Sequence, residues 1–281
     1  MSLVTMDSLL KPARAQGYAV GAFTVWGLAS MQAVICAAEE LNQPVILQTG
    51  SMEINYIGFK PLARLMIDTA QQAKTPVAVH LDHGNSFEMV MQCINQGFTS
   101  VMLDASHLPF NENVKAMKEV VQVAHTCGIT VEGELGRIGG EEAGINVTDS
   151  DAHLANPDEA TRFVEQTGID ALAVGIGTVH GFYKSEPNIR LDLLKKIAGQ
   201  VSIPLVLHGG SGTPHETVKK SIQLGISKIN ICTELVAAFN DTFVKEQKDK
   251  DFRYNIPGVF GKPRAAAIEL VKQKIRLFAG L

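Results

Sequence analysis

The segment HLDHG at residues 80–84 places two histidines and a carboxylate where an apolar run ends. It follows PVAV at 76–79, which is typical of a buried strand. Buried imidazole and carboxylate groups cost free energy unless a metal ion, a hydrogen bond or an opposite charge compensates them. The simpler alternative is a strand that ends in a polar loop with a hydrogen-bonded histidine. This segment alone leaves both interpretations open.

Two further histidines stand at the ends of apolar runs in the same way, His180 in GTVHG and His208 in PLVLHGG. Three imidazoles that converge from separate strands suit zinc, because a catalytic zinc ion takes three protein ligands and leaves one position open. We therefore predict a metal site at His83, His180 and His208. His80 lies three residues before His83, so in a regular strand it would face the other side, as a packing residue or a support for a ligand.

Acidic residues also end two of these runs, Asp104 in SVMLDAS and Glu134 in TVEGELG. They could form a second or alternative metal position, or they could orient the histidines through hydrogen bonds. Ordinary polar strand ends remain the alternative for each of them.

Two segments further along have the composition of phosphate-binding loops. GGSG at 209–212 and INICTE at 229–234 each follow or end an apolar run. Glycine lets backbone N–H groups approach an anion closely, and a following helix directs the positive end of its dipole at the anion. Ser211 and Thr233 add hydroxyl donors, and Lys184, which follows His180 by four residues, could add a positive charge.

Eight short apolar runs must position these groups, and several are continuous rather than alternating, as in parallel strands covered on both faces. Helical patterns stand between them, such as NPDEATRFVEQTG at 156–168, with Asn-Pro at its start and Gly at its end. This alternation predicts right-handed βαβ units. The eight runs are YAVGAF (18–23), PVILQT (44–49), PVAVHLD (76–82), SVMLDAS (100–106), TVEGELG (130–136), ALAVGIG (171–177), PLVLHGG (204–210) and KINICT (228–233).

We predict an α/β fold, a (β/α)8 TIM barrel with an extra N-terminal helix at 6–16 and a helical C-terminal extension from residue 234 onward. An open doubly wound sheet is the alternative. The length fits a single domain over residues 1–281.

The composition excludes several classes of protein. Hydrophobic residues make up 46% and charged residues 19%, which provides a core and argues against disorder. The net charge of −4 argues against nucleic-acid binding, and no apolar run reaches the roughly 18 residues of a membrane span. The four cysteines show no CxxC spacing and no secretory signal opens the chain, so we expect free thiols in a reducing cytoplasm.

In a (β/α)8 barrel these strand ends meet at one mouth, and phosphate sites use the loops after the seventh and eighth strands. A metal, a phosphate and spare carboxylates in one pocket fit aldol cleavage or condensation of a phosphosugar. A Schiff-base mechanism would need a lysine in the mouth, whereas Lys228 begins the last run, at the wrong end, and Lys184 lies in a loop. A metal hydrolase would not need two phosphate loops, and a non-catalytic partner subunit would not need all three histidines.

The segments HLDHG, SVMLDASH, VEGELGRIGGEE, AVGIGTVHGFYK, PLVLHGGSG and KINICTE follow one another over most of residues 4–235. In these segments the chain resembles the class II, zinc-dependent ketose-bisphosphate aldolases. The spacing between the segments is most similar to that of the short tagatose-1,6-bisphosphate aldolase branch. The resemblance implies reversible cleavage of a fructose- or tagatose-type 1,6-bisphosphate to dihydroxyacetone phosphate and an aldehyde such as glyceraldehyde 3-phosphate. It also implies a homodimer or homotetramer.

The resemblance further implies roles by position. His83, His180 and His208 match the zinc ligands, and Asp82 matches the acid that transfers a proton at the C4 oxygen. Asp104 and Glu134 match residues that hold zinc in an outer position.

Glu142, in the glycine-containing loop RIGGEEAG at 137–144, matches the base that acts on dihydroxyacetone phosphate, with Glu141 as the alternative. The phosphate of that ketone is expected at the positions that match the family's phosphate site, beside Lys184: Gly181, Gly209, Gly210, Ser211, Asn230, Ile231, Cys232 and Thr233.

Two positions depart from the family pattern. Relatives usually carry Asn at the position of Thr24, and Ser or Thr at the position of Gly50, and both positions contact the sugar. Losing a hydrogen-bonding group can change discrimination between substrates strongly, so these departures bear on the sugar and not on the zinc chemistry. Arg253 resembles an Arg that reaches a neighbouring subunit's site, with a surface Arg as the alternative.

Overall fold

Eight parallel strands close into a barrel, in the order β1-β11-β10-β8-β5-β4-β3-β2. The computed structural model describes residues 2–142, 145–148, 152–183, 186–248 and 254–281. The barrel strands are β1 Val20–Thr24, β2 Val45–Thr49, β3 Val77–Gly84, β4 Ser100–Leu103, β5 Thr130–Leu135, β8 Ala171–Val174, β10 Leu205–Leu207 and β11 Ile226–Ile231. Each lies within or across one of the eight apolar runs, so the (β/α)8 TIM barrel is confirmed and the open sheet is excluded.

Helices surround the barrel and connect its strands. The segment 156–168 shows how the sequence sets the ends of such a helix. The Asn156 side chain caps the first turn by accepting from Asp158 N at 2.9 Å, and Gly168 ends the helix with φ +71°. None of the described helices combines the length and the apolar character that crossing a membrane requires. The helices are α1 Met6–Gln16, α2 Leu28–Leu41, α3 Ser51–Ile57, α4 Phe59–Gln72, α5 Phe87–Asn95, α6 Phe110–Thr126, α7 Pro157–Thr167, α8 Leu191–Gln200, α9 His215–Gln223, α10 Thr233–Glu246 and α11 Ile256–Ala279.

The barrel interior changes from apolar to polar along its axis. Its lower half is filled by small and branched side chains, among them Ala22, Ile46 and Val206, which pack on Met6 and Leu10 of α1. The extra N-terminal helix therefore closes the bottom of the barrel, as the sequence predicts. In the upper half, two residues further along the same strands, the inward side chains are polar and buried: Thr24, Gln48, His80, Glu132 and His208.

A small second sheet stands at the mouth of the barrel, and the sequence did not predict it. It consists of β6 Gly139–Glu142, β7 Ile145–Val147 and β9 Val179–His180. The segment 137–144 was expected to be a loop that can move, but its residues 139–142 form β6, which pairs with β9 in the register Gly140 to His180. A histidine of the predicted metal site is thus held by a strand pair.

Candidate metal centre and active site

Three histidines from separate strands converge at the mouth of the barrel. His83, His180 and His208 are buried, and each offers a ring nitrogen within 4.8 Å of those of the other two. Their ring centroids are 4.7 to 6.0 Å apart. The predicted set of three imidazoles is therefore brought together by the fold.

An irregularity in β3 turns both Asp82 and His83 towards this centre. The β3–β4 register shifts between Leu81 and Gly84, and His83 has a positive φ of +45°. The strand approaches β4 so closely there that a Cβ on Gly84 would lie 2.6 Å from Met102 O. Two consecutive residues of a regular strand point to opposite faces, so this backbone is what lets them act together.

Carboxylates fix the outer nitrogens of two of these rings. His83 Nδ1 lies 2.9 Å from Asp104 Oδ2, and His208 Nε2 lies 2.8 Å from Glu132 Oε1. Because an ionised carboxylate only accepts, each of these nitrogens carries its proton and leaves the opposite nitrogen free to accept. Those two nitrogens, His83 Nε2 and His208 Nδ1, face each other at 2.9 Å. When no proton lies between them, two lone pairs at that distance repel, and a metal ion shared by the two nitrogens removes the repulsion, so the donor set fits a metal ion.

The charges around the centre also favour a cation. Burial lowers the pKa of His83, but the carboxylates of Asp82, Asp104 and Glu134 raise it overall, well above its usual value. Burial and the charge of Asp104 raise the pKa of Glu134 to about 8. Glu134 Oε2 is buried without a hydrogen-bond partner, 3.5 Å from His208 Nδ1. A cation at the histidines would compensate this carboxylate.

Asp104 is placed to orient a ligand. Besides His83, it binds Ser106, whose backbone N and Oγ donate to Asp104 Oδ1 at 3.1 and 2.7 Å. Burial would raise the pKa of Asp104, but the hydrogen bond from His83 and those from Ser106 bring it below its usual range. Of the two roles left open by the sequence, the hydrogen-bond geometry favours orientation of His83.

Asp82 is held beside the histidines by two side-chain amides. Gln48 Nε2 donates to Asp82 Oδ2 at 2.8 Å, and Asn230 Nδ2 donates to Asp82 Oδ1 at 3.1 Å. Gln48 Nε2 also donates to Thr24 Oγ1 at 3.2 Å. Sequence reasoning missed Gln48, although a glutamine within the apolar run VILQT was a signal. Thr24, one of the two departures, is thus linked through Gln48 to Asp82, the predicted proton-transferring acid.

His80 and Lys228 require corrections. His80 does not face away from the site: it points into the barrel like Ala78, two residues before it, and its Nε2 lies 4.0 Å from Asp82 Oδ1. It is His83 that the irregularity after Leu81 turns to the same side. Lys228 is also inside the barrel, not away from the site, and its Nζ lies 2.9 Å from Glu132 Oε2. Sequence reasoning gave Glu132 no role, although a second acidic residue two positions before Glu134 shares its strand face.

The loops after β10 and β11 lie against each other, as a phosphate site built from both requires. Gly209 has φ +65°, and a Cβ there would lie 2.3 Å from Val179 O. The Gly210 N–H donates to Asn230 O at 3.1 Å, so this amide is satisfied within the fold. Ser211 Oγ accepts from Glu234 N at 3.2 Å in the first turn of α10, which Cys232 precedes and Thr233 begins.

This arrangement of metal-seeking histidines, a held carboxylate and paired loops occurs in a chain with clear relatives. The family model for fructose-bisphosphate aldolase class II matches residues 4–280. The chain belongs to this family. It is therefore an aldolase, a lyase that cleaves a carbon–carbon bond.

Three relatives show the breadth of the family. The chain is 44% identical over 306 residues to the fructose-bisphosphate aldolase of Thermus caldophilus, covering 99% of both chains. It is 39% identical to the sulfofructosephosphate aldolase of Alkalicoccus urumqiensis, over 99% of this chain and 97% of the relative. Among solved structures, the YdjI aldolase of Escherichia coli K12 superposes with a TM-score of 0.88 at 37% identity, over 98% of this chain and 97% of that one.

Several residues that the aldolase resemblance singled out fall outside what the structure describes. These are Lys184, Arg253 and the side chains of Glu141 and Glu142. Gly181, with φ +89°, directly follows His180 and is described. Ile231 ends β11 and is buried, so it can contribute only its backbone to a bound group.

Proposed function

We propose that this aldolase catalyses the zinc-dependent, reversible cleavage of a ketose 1,6-bisphosphate of the fructose or tagatose type. The products are dihydroxyacetone phosphate and an aldehyde such as glyceraldehyde 3-phosphate. The observation that carries the proposal is the convergence of His83, His180 and His208 beside Asp82. The loops after β10 and β11 adjoin this centre. His208, a member of the centre, directly follows β10, and Asn230, which binds Asp82, lies near the end of β11.

His83 Nε2, His208 Nδ1 and a ring nitrogen of His180 would hold the zinc ion, with Asp104 and Glu134 as further carboxylates for an outer position. When bound, zinc supplies Lewis-acid polarisation of the ketose carbonyl. The protein keeps the two imidazoles in the required tautomers through Asp104 and Glu132.

Asp82 transfers the proton at the C4 oxygen. The amides of Gln48 and Asn230 approach its oxygens from two neighbouring strands and fix its orientation. They leave the carboxylate able to accept a proton from a group bound beside it. In the cleavage direction, Asp82 takes the proton from the C4 hydroxyl as the bond between C3 and C4 breaks.

Glu142 returns a proton to the ketone product, with Glu141 as the alternative. This assignment rests on the sequence match, and the backbone supports it: Glu142 ends β6, two residues after Gly140, which pairs with His180. Gly140 lets β6 approach β9 closely, because a Cβ there would lie 2.2 Å from His180 O.

The phosphate of the ketone binds between the two adjoining loops. The groups that support this proposal are glycine backbones, two hydroxyls and the N-terminus of α10, all of which suit an anion. Lys184 is included on the sequence match alone. The proposed residues are Gly181, Lys184, Gly209, Gly210, Ser211, Asn230, Ile231, Cys232 and Thr233.

A second candidate is an aldolase of the same mechanism that acts on a different sugar, including one whose aldehyde half carries no phosphate. Thr24 and Gly50 favour it, since both depart from the family pattern at positions that contact the sugar. Gly50 N donates to Glu53 Oε2 at 3.0 Å, which places a carboxylate where β2 ends. The sulfofructosephosphate aldolase relative shows that the family includes other sugars. A non-catalytic partner subunit is disfavoured by the complete set of three histidines and Asp82.

A condensation assay distinguishes these candidates. Zinc-loaded protein is combined with dihydroxyacetone phosphate and a panel of phosphorylated and unphosphorylated aldehydes, and product stereochemistry is resolved by NMR. One dominant fructose or tagatose bisphosphate supports the first candidate, and preference for an unphosphorylated aldehyde supports the second. No condensation with bound zinc would refute both.

We also propose a single domain over residues 1–281, a homodimer or homotetramer, and a cytoplasmic location. All four cysteines lie in the described part of the chain, and none of them forms a disulfide.

A further inference from the structure

A fully buried ion pair lies directly beneath the histidine centre. Lys228 Nζ is 2.9 Å from Glu132 Oε2, and the other oxygen of Glu132 binds His208 Nε2 at 2.8 Å. All three side chains have no solvent exposure. The carboxylate of Glu132 therefore connects an ammonium group on β11 to a predicted metal ligand on β10.

Such a pair is expensive to bury, and its attraction repays the cost of desolvation only with good geometry. Apolar side chains would fill the barrel at lower cost, as they do in most of its lower half. Glu132 instead lies between two nitrogen donors, Lys228 Nζ on one oxygen and His208 Nε2 on the other. A carboxylate can only accept, so it fits both contacts.

The ammonium of Lys228 also accounts for a second cluster of possible ligands. His80, Asp82 and Glu132 offer ligand atoms within 4.8 Å of one another. Lys228 already supplies a positive charge to this cluster, so a metal ion there would be repelled. Burial and the charge of Lys228 lower the pKa of His80, which keeps its ring neutral.

We propose that Glu132 and Lys228 are positioning residues of the metal centre: Glu132 fixes the His208 ring with Nδ1 towards His83, and Lys228 holds Glu132 in place. This inference rests on the proposed metal site at the three histidines. Neither residue touches the substrate or the metal.

The geometry shows why Lys228 is needed. Without it, the nearest remaining donor to Glu132 Oε2 is His80 Nε2, at 3.7 Å. His80 cannot come closer freely, because its Nδ1 is bound to Ser100 Oγ at 2.8 Å. The carboxylate would therefore rotate towards His80, and its Oε1 would leave His208 Nε2.

The test measures metal affinity and not only activity. Lys228→Met, Glu132→Gln and the double variant are titrated with Co²⁺, whose visible absorption reports the ligand geometry. We expect Lys228→Met to weaken Co²⁺ binding about 10–100-fold and to change the spectrum, as loss of outer partners of metal ligands does. Glutamine can still accept from His208 and has no charge to be paired, so the double variant should bind Co²⁺ about as Glu132→Gln does. This rescue by a second substitution would not occur if Lys228 served only the stability of the barrel.

Lys274→Met is the matched control. Lys274 is a second buried lysine, paired with Glu234 on α10. This variant should lose stability in thermal unfolding but keep the Co²⁺ affinity and spectrum of the wild type.

Wild-type Co²⁺ affinity and an unchanged spectrum in Lys228→Met would overturn the proposal, as would additive losses in the double variant. A different result would show that the proposed metal site itself is wrong. In that case the wild type would bind no Co²⁺, or His180→Ala would leave Co²⁺ binding unchanged.

Discussion

One glycine controls how closely β6 approaches His180, and Gly140→Ala tests whether this contact positions the histidine. Gly140 has φ +98°, and a Cβ there would lie 2.2 Å from His180 O and 2.8 Å from His180 N. Since Cβ contacts under 3.0 Å essentially never occur, the two strands must separate. A misplacement of about 1 Å at an active site can cost about 10²-fold in rate. We therefore expect kcat/KM of the zinc-loaded variant to fall by about that factor.

The substitution also strains the backbone. A residue other than glycine at such a φ costs about 1–3 kcal/mol, which thermal unfolding of the metal-free protein should show. Gly168→Ala separates this strain from the displacement of His180. Gly168 has φ +71° at the end of α7, and a Cβ there would meet only Val121 Cγ1, at 3.8 Å. We expect this control to lose comparable stability and to keep its activity.

The assay is steady-state cleavage of the preferred ketose phosphate, followed by zinc titration of both variants. If Gly140→Ala kept wild-type kcat/KM and zinc affinity, the pairing of β6 with β9 would not position His180. An equal loss of activity in Gly168→Ala would attribute the effect to general destabilisation.

Three further predictions concern the centre itself. Asp82→Asn should lower kcat by about 10²–10⁴-fold, the usual contribution of a positioned proton-transfer group, and should retain its zinc affinity in a titration. A normal kcat in this variant would exclude Asp82 as the acid. A chelator should abolish cleavage, zinc should restore it, and borohydride with substrate should not inactivate the enzyme; activity in the chelator would refute a metal mechanism. Gln48→Leu leaves Asp82 Oδ2 and Thr24 Oγ1 without their shared donor. The variant should therefore lose about 1–3 kcal/mol of unfolding free energy in denaturant and have a lower kcat. An unchanged unfolding free energy would mean that water replaces the amide.

The fold was predictable because its signals are local. The apolar run SVMLDAS, for example, contains the whole of β4, and the capping residues Asn156 and Gly168 mark the ends of α7. The second sheet was not predictable in this way. GGEE at 139–142 has neither alternation nor apolar content, and it becomes a strand because β7 and β9 present partners on its two sides.

The histidines were predictable as a set because the barrel brings strand ends together whatever their sequence. The layer beneath them was not. Lys228 looked like the polar start of a strand, since the run KINICT was read from that residue. β11 in fact begins at Ile226, and this change of two residues turns a residue at the strand's start into one inside the barrel. Strand boundaries are the least reliable part of a prediction from sequence, and here the boundary decided the role.

The irregularity in β3 explains why reasoning from regular geometry placed His80 and His83 on opposite faces, whereas the structure brings both side chains to the same site. In a regular strand Asp82 and His80 share one face and His83 lies on the other, so a metal ligand at His83 would have pointed into the helical layer. The positive φ of His83 brings it back to the face of Asp82. A histidine in this conformation is strained, and its hydrogen bond to Asp104 helps to hold it there. The backbone of β3 therefore stores strain at the point where the proposed proton-transferring acid and the proposed metal ligand are neighbours, and no alternation pattern in the sequence could indicate this.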